Sequence, residues 1–83
     1  MKYTLRYTQR AVTDIEQLDT LVKKRLAGKI LELQDNPVGK SKKLLNMKLG
    51  SYRYRIGDYR IIFDIKGTDV VILRVGHRRE IYR

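Results

Sequence analysis

Tyr52-Arg53-Tyr54-Arg55-Ile56-Gly57-Asp58-Tyr59-Arg60-Ile61-Ile62-Phe63-Asp64-Ile65 decides the fold. Successive side chains of a β-strand point to opposite faces. Tyr52, Tyr54 and Ile56 therefore make one face of a first strand, and Arg53 and Arg55 make the other. Gly57-Asp58 is a tight hairpin turn. In the second strand Ile61, Phe63 and Ile65 form the better apolar set. That choice sends Arg60 to the same open face as Arg53 and Arg55.

Beyond this hairpin, Lys66-Gly67-Thr68-Asp69 marks another turn, and Val70–Val75 is an almost wholly apolar run suited to the middle of a sheet. Gly76 relaxes the backbone, and residues 77–83 are expected to form a last short extended piece. On the other side, residues 38–51 read as a basic connection. Asn36-Pro37 ends a helix, because proline lacks the amide that continues one and disfavours helix in the residue before it. Ala11, Ile15, Leu18 and Val22 keep helical spacing, as do Val22, Leu26, Ile30 and Leu33. Thr8 can cap the first helix, and Asp19-Thr20 interrupts the pattern and can cap a second. Two helices are expected, over about residues 9–18 and 20–35. Lys2–Tyr7 alternates as a half-buried strand with Tyr3, Leu5 and Tyr7 inward. The fold class that results is α+β, in one domain over residues 1–83. It comprises an N-terminal strand, a two-helix hairpin and a three- to four-stranded antiparallel sheet with the helices on one face. The other face is open, and function has room there.

The chain carries 19 lysines and arginines against nine acidic residues, a net charge of +10. The charge is uneven. Residues 1–39 hold seven basic and five acidic side chains, and residues 40–83 hold twelve and four. Such a balance suits a polyanionic partner better than a surface kept basic for solubility. A membrane partner is not expected, since no amphipathic helix sets its basic residues opposite aromatic ones. The absence of cysteine excludes disulfides and thiolate metal sites, and a single histidine excludes a site built from several imidazoles. No signal peptide and no membrane span is read in the sequence. The expected location is cytoplasmic, and no cofactor is expected.

Arg53, Arg55 and Arg60 on one face, with His77, Arg78, Arg79, Tyr82 and Arg83 near one end of the sheet, can receive an anion. Clustered guanidinium groups repel one another until an anion sits among them, and each offers a planar fork of donors to phosphate. Tyrosine or histidine among them can stack on an unpaired base. Lys40, Lys42, Lys43 and Lys48 of the basic connection can hold further phosphates.

The hairpin Tyr52–Phe63 resembles the central hairpin of RelE-type toxins of the RelE/ParE superfamily. The ending Val75-Gly76-His77-Arg78-Arg79-Glu80-Ile81-Tyr82 resembles that family's C-terminal motif, and Asn36-Pro37 followed by Lys43-Leu44 also matches. The resemblance covers nearly the whole chain. It implies the toxin of a type II toxin–antitoxin system: a metal-independent, ribosome-dependent endoribonuclease (an mRNA interferase) that cleaves mRNA in the A site. In such toxins the ribose 2′-hydroxyl attacks the adjacent phosphorus and leaves a 2′,3′-cyclic phosphate. It also implies an acidic RelB-like antitoxin as partner, with operator DNA reached only through the antitoxin complex. By the same resemblance the catalytic positions are Arg53, Arg55, Arg60, Arg78 and Tyr82, while His77 stands where the prototype has lysine. The prototype also has lysine at the positions of Arg53 and Arg55. Arginine, with a pKa above ~12, does not serve as a base. The arginines are therefore expected to clamp phosphate, which leaves proton transfer to His77, whose ordinary pKa is ~6.5, or to Tyr82. Two alternatives share these features: a ParE-like inhibitor of DNA gyrase without nuclease activity, and a basic nucleic-acid-binding module.

Overall fold

The computed structural model of the 83-residue chain describes residues 2–39, 41–43 and 52–81. Its elements follow in the order β1 (Thr4–Tyr7), α1 (Gln9–Glu16), α2 (Thr20–Glu32), β2 (Lys42–Lys43), β3 (Tyr52–Ile56), β4 (Tyr59–Lys66), β5 (Asp69–His77) and α3 (Arg78–Ile81). The strands form one sheet in the order β1-β5-β4-β3-β2. Strand β1 lies parallel to β5, and every other pair is antiparallel.

The helices start where their caps dictate. The Thr8 side chain accepts the Ala11 N–H at 3.1 Å, and Asp19 accepts that of Leu21 at 3.1 Å. Both helices stop a few residues earlier than their apolar stripes suggest. Gln17 and Leu18 donate back to Asp14 and Ile15, and Leu33, Gln34 and Asp35 donate to Ile30, Leu31 and Glu32. These bonds span three residues rather than four, so each helix closes in a tightened last turn.

The apolar stripes meet the sheet on one side. Ala11, Leu26, Ile30 and Leu33 pack with Ile56, Ile61, Phe63, Val70, Ile72 and Val75, and Tyr52 stacks on Phe63 with ring centroids 5.4 Å apart. Burying one such large side chain contributes about 1.5–3 kcal/mol. Tyr3 and Leu5 join the core as expected, but Tyr7 stays 43% exposed. The β3–β4 and β4–β5 loops each open with a glycine of positive φ, Gly57 at 59° and Gly67 at 61°. A two-residue hairpin loop needs that conformation at its first position, and glycine adopts it without a Cβ penalty.

Three features depart from the sequence-based expectations. Part of the basic connection is a strand, since Lys42 and Lys43 pair with Arg53 and Tyr52. The segment after β5 is helical over Arg78–Ile81 rather than extended. Its start is fixed by the Arg78 N–H on the Asp58 carbonyl (2.8 Å), and its end by burial of Ile81, whose Cδ1 would lie 3.3 Å from a Cβ built on Gly76. Finally, β5 contains a bulge. Ile62 pairs with Arg74 and Phe63 with Ile72, which leaves Leu73 as an extra residue.

Candidate nucleic-acid interface

The strand register sorts the site residues by face, because directly opposed residues share one. Lys42 lies opposite Arg53, which lies opposite Ile62. Arg55 lies opposite Arg60, which lies opposite Gly76. Lys42, Arg53, Arg55 and Arg60 therefore occupy the sheet face turned away from α1 and α2. Gly39, Ser41, Lys42, Arg53 and Arg55 line a recess of about 220 Å³ at its β2 side.

Gly39 and Ser41 belong to this recess although their sequence gave no such indication. The Asn36 side chain accepts the Gly39 N–H at 3.0 Å, and the Ser41 hydroxyl donates to the Pro37 carbonyl at 2.6 Å. A Cβ on Gly39 would collide with the Asn36 side chain. The Asn-Pro turn thus delivers the chain tightly into β2, and a legible helix stop is also the wall of the recess.

Arg60 is on the expected face but not at the expected depth. It is 4% exposed. Its Nη1 donates to the carbonyls of Gly57 (2.7 Å) and Tyr59 (2.8 Å), and its Nε has no hydrogen-bond partner. The exposed guanidinium anticipated beside Arg53 and Arg55 is instead folded onto the β3–β4 turn. Arg78 and Arg79 are exposed on α3.

His77 and Lys43 do not join the arginine face. Lys43 pairs with Tyr52, whose face is that of the helices. His77 pairs with Tyr59 on the same helix side, and the two rings meet edge to face at 5.5 Å. The bulge at Leu73 is the reason, because one inserted residue reverses the facing of every later residue in the strand. His77 Nδ1 also accepts the Arg79 N–H at 3.2 Å, so it is engaged in starting α3. Lys40, Lys48, Tyr82 and Arg83 lie outside the described residues.

A larger recess of about 650 Å³ runs between α1, the end of β5 and α3, lined by Arg10, Asp14, Gln17, Tyr59, Arg74, His77 and Glu80 among others. Its central charge is satisfied internally. Asp14 accepts from Arg74 Nε (2.8 Å) and from the Val75 N–H (3.0 Å), and Arg10 Nε lies 3.6 Å from its other oxygen. Asp14 thus takes over at the β5 edge where β1 has ended. The arrangement with room for a polyanion is the face of β2 and β3, where Lys42, Arg53 and Arg55 stand on adjacent strands turned away from α1 and α2, with Arg60 buried beside them on β4.

Comparison with known proteins agrees with this architecture. Residues 5–82 match the family described as the ParE toxin of the type II toxin–antitoxin system parDE. The chain is 36% identical to Toxin RelG of Mycobacterium tuberculosis over a 90-residue alignment covering all of this chain and 99% of the relative. It is 30% identical to Toxin RelE3 of Methanocaldococcus jannaschii over 80 residues, 92% of this chain and 91% of the relative. A chain in the crystal structure of the M. tuberculosis toxin–antitoxin complex RelBE2 superposes with a TM-score of 0.85 at 32% identity, covering 94% of this chain and 100% of that one. The chain therefore belongs to the RelE/ParE superfamily and is the toxin of a type II toxin–antitoxin system.

Proposed function

We propose that this toxin is a ribosome-dependent endoribonuclease that cleaves mRNA in the A site without a metal. The observation that carries the proposal is the set of Lys42, Arg53, Arg55 and Arg60 on one sheet face, in paired register, opposite the helix pair. The 2′-oxygen of a ribose attacks the adjacent phosphorus, and the bond from phosphorus to the 5′-oxygen of the next nucleotide breaks. One fragment ends in a 2′,3′-cyclic phosphate, the other in a 5′-hydroxyl. Charge grows on the phosphoryl oxygens as the new bond forms. Arg53, Arg55 and Arg78 are fixed cations suited to stabilising it, with the buried Arg60 adding its charge from beneath the same face. Lys40, Lys42, Lys43, Lys48, Arg79 and Arg83 would hold the flanking backbone. The arginines do not exchange protons at neutral pH. His77, turned to the helix side, is poorly set for that task, so Tyr82 is the remaining candidate for proton transfer or base stacking. The ribosome would contribute alignment of the 2′-hydroxyl with its leaving group, which can supply much of the rate.

The same reading gives the toxin an acidic RelB-like antitoxin, operator binding only through that complex, and a cytoplasmic site of action. The related RelBE2 structure, a toxin–antitoxin complex, supports the first of these, and the charge of +10 favours an acidic, partly disordered partner. A second reading, inhibition of DNA gyrase without cleavage, is favoured by the ParE name of the matched family. Sequencing of message 5′ ends after induction separates the two. Codon-phased cuts that vanish in Arg78→Ala support the nuclease. Growth arrest with DNA damage and intact messages supports the gyrase inhibitor.

A further inference from the structure

The recess of about 220 Å³ beside β2 is lined by Gly39, Ser41, Lys42, Arg53 and Arg55. Its three cationic side chains can only donate hydrogen bonds, because lysine and arginine have no acceptor. The Gly39 N–H is already spent on the Asn36 side chain at 3.0 Å. Such donors take the phosphates of RNA and DNA alike, since the two backbones differ in the sugar and not in the phosphate.

Ser41 is different. A serine hydroxyl has one proton to give and two lone pairs that accept. The proton has a destination inside the protein. Oγ lies 2.6 Å from the Pro37 carbonyl and 3.5 Å from that of Val38, so the shorter contact takes it. The Ser41 N–H also donates to the Val38 carbonyl, at 3.3 Å. Both donors of Ser41 are thereby tied to the Pro37–Val38 turn, which Asn36 closes onto Gly39. What Oγ still offers is a lone pair on a fixed turn, beside Lys42. Ser41 is the one lining residue whose side chain can accept.

We propose that Ser41 is a specificity-determining residue that selects ribose over deoxyribose: its Oγ accepts a hydrogen bond from a ribose 2′-hydroxyl whose neighbouring phosphate rests on Lys42, Arg53 or Arg55. The 2′-hydroxyl both donates and accepts, and it is the group by which a protein tells RNA from DNA. Its proton goes to Ser41, and its oxygen accepts from a cation of the same recess. A deoxyribose leaves Oγ without that donor. The role rests on the RNA reading for the identity of the ligand and adds a selection made before any chemistry. Lys42, Arg53 and Arg55 supply the attraction, and Ser41 supplies the discrimination.

The test is fluorescence anisotropy of the full chain with labelled hexanucleotides of one sequence: RNA, the uracil-containing DNA, and 2′-fluoro RNA. The 2′-fluoro sugar keeps the pucker of ribose but has no proton to give. One net hydrogen bond corresponds to about a two- to tenfold change in affinity. The unmodified chain binds RNA tighter than 2′-fluoro RNA by about that factor, and DNA no tighter than 2′-fluoro RNA. Ser41→Ala lowers RNA affinity to the 2′-fluoro level and leaves 2′-fluoro affinity where it was. It also keeps the salt slope, which reports the cations. Ser41→Thr retains the hydroxyl and with it the preference. Equal affinity of the unmodified chain for RNA and 2′-fluoro RNA overturns the proposal, whether or not Ser41→Ala folds. So does a folded Ser41→Ala that keeps the preference, or a preference that disappears when the base sequence is changed. No readout requires cleavage. Codon-phased cuts in cells alongside equal affinity for the two backbones would refute the role of Ser41 and leave the nuclease standing. A preference that depends on Ser41, alongside intact messages, would refute the nuclease and leave the ribose site standing.

Discussion

Replacing Asp14 tests the organisation of the β5 edge. This carboxylate, with its side chain 10% exposed, accepts the Val75 N–H at 3.0 Å and Arg74 Nε at 2.8 Å. Strand β1 ends opposite Ile72, so Val75 has no strand neighbour on that side and Asp14 is its substitute partner. Asp14→Ala strips the Val75 amide of its acceptor inside the structure, at about 1–3 kcal/mol. It also removes a charge-assisted bond to Arg74, worth about 1.5–3 kcal/mol when buried. Arg74 is 23% exposed and can turn to water, so the lower end applies to that bond. The expected loss is about 3 kcal/mol. Asp14→Asn keeps an acceptor for Val75 and loses only the charged bond, for about 1–1.5 kcal/mol. At roughly 4–8 °C per kcal/mol for a domain of this size, the alanine variant should melt about 12–24 °C lower and the asparagine variant about half as far or less. Urea denaturation followed by circular dichroism measures both, with thermal scans as a check. Losses below about 1 kcal/mol for Asp14→Ala, or equal losses for the two variants, would refute the edge-partner role.

Phe63→Ala empties the centre of the core and removes the stack on Tyr52, for about 3–5 kcal/mol. In so small a domain that should leave the chain largely unfolded by circular dichroism. Gly67→Ala places a Cβ in open space, so its cost is only that of a positive φ, about 1–2 kcal/mol. Urea melts should register that loss while RNA affinity stays unchanged. Arg53→Ala and Arg55→Ala should each weaken single-stranded RNA binding and reduce the salt slope by about 0.7, as read from filter binding across a salt series. Arg78→Ala should abolish growth arrest without lowering the melting temperature, because its side chain is exposed and its structural bond to Asp58 comes from the backbone.

The sequence was legible wherever one local rule acted alone. Period-two alternation in Tyr52–Ile56 and Tyr59–Ile65 delivered two strands and the faces of Arg53, Arg55 and Arg60. Short polar side chains at Thr8 and Asp19 marked both helix starts. The misreadings lie where a second influence overrides such a rule. Alternation carried on from Val70 and Ile72 puts His77 with the arginines, but one extra residue at Leu73 reverses it. No residue type there announces a bulge. The tail Arg78–Ile81 is short and highly charged, and nothing local shows that Ile81 has a glycine to fold onto. Periodicity, moreover, assigns a face and not a depth. Arg60 sits on the face that alternation gave it, yet it is buried there, its guanidinium on carbonyls of its own turn and its backbone beside Gly76 of the neighbouring strand.

The sheet divides stability from recognition by the parity of residue number. In β3, Tyr52, Tyr54 and Ile56 face the helices, and Arg53 and Arg55 alternate with them. Substitution on the first set acts through lost burial, so its effect on any activity follows the population of folded chain. On the second set it acts through charge, with effects that depend on salt and on the partner. Arg60 breaks the division. By position it belongs with the charges, and by burial with the core. A buried cation without a carboxylate is retained against its desolvation cost. That cost is offset in part by two turn carbonyls. Substitution of Arg60 therefore acts on both, through the lost bonds to the β3–β4 turn and through the lost charge.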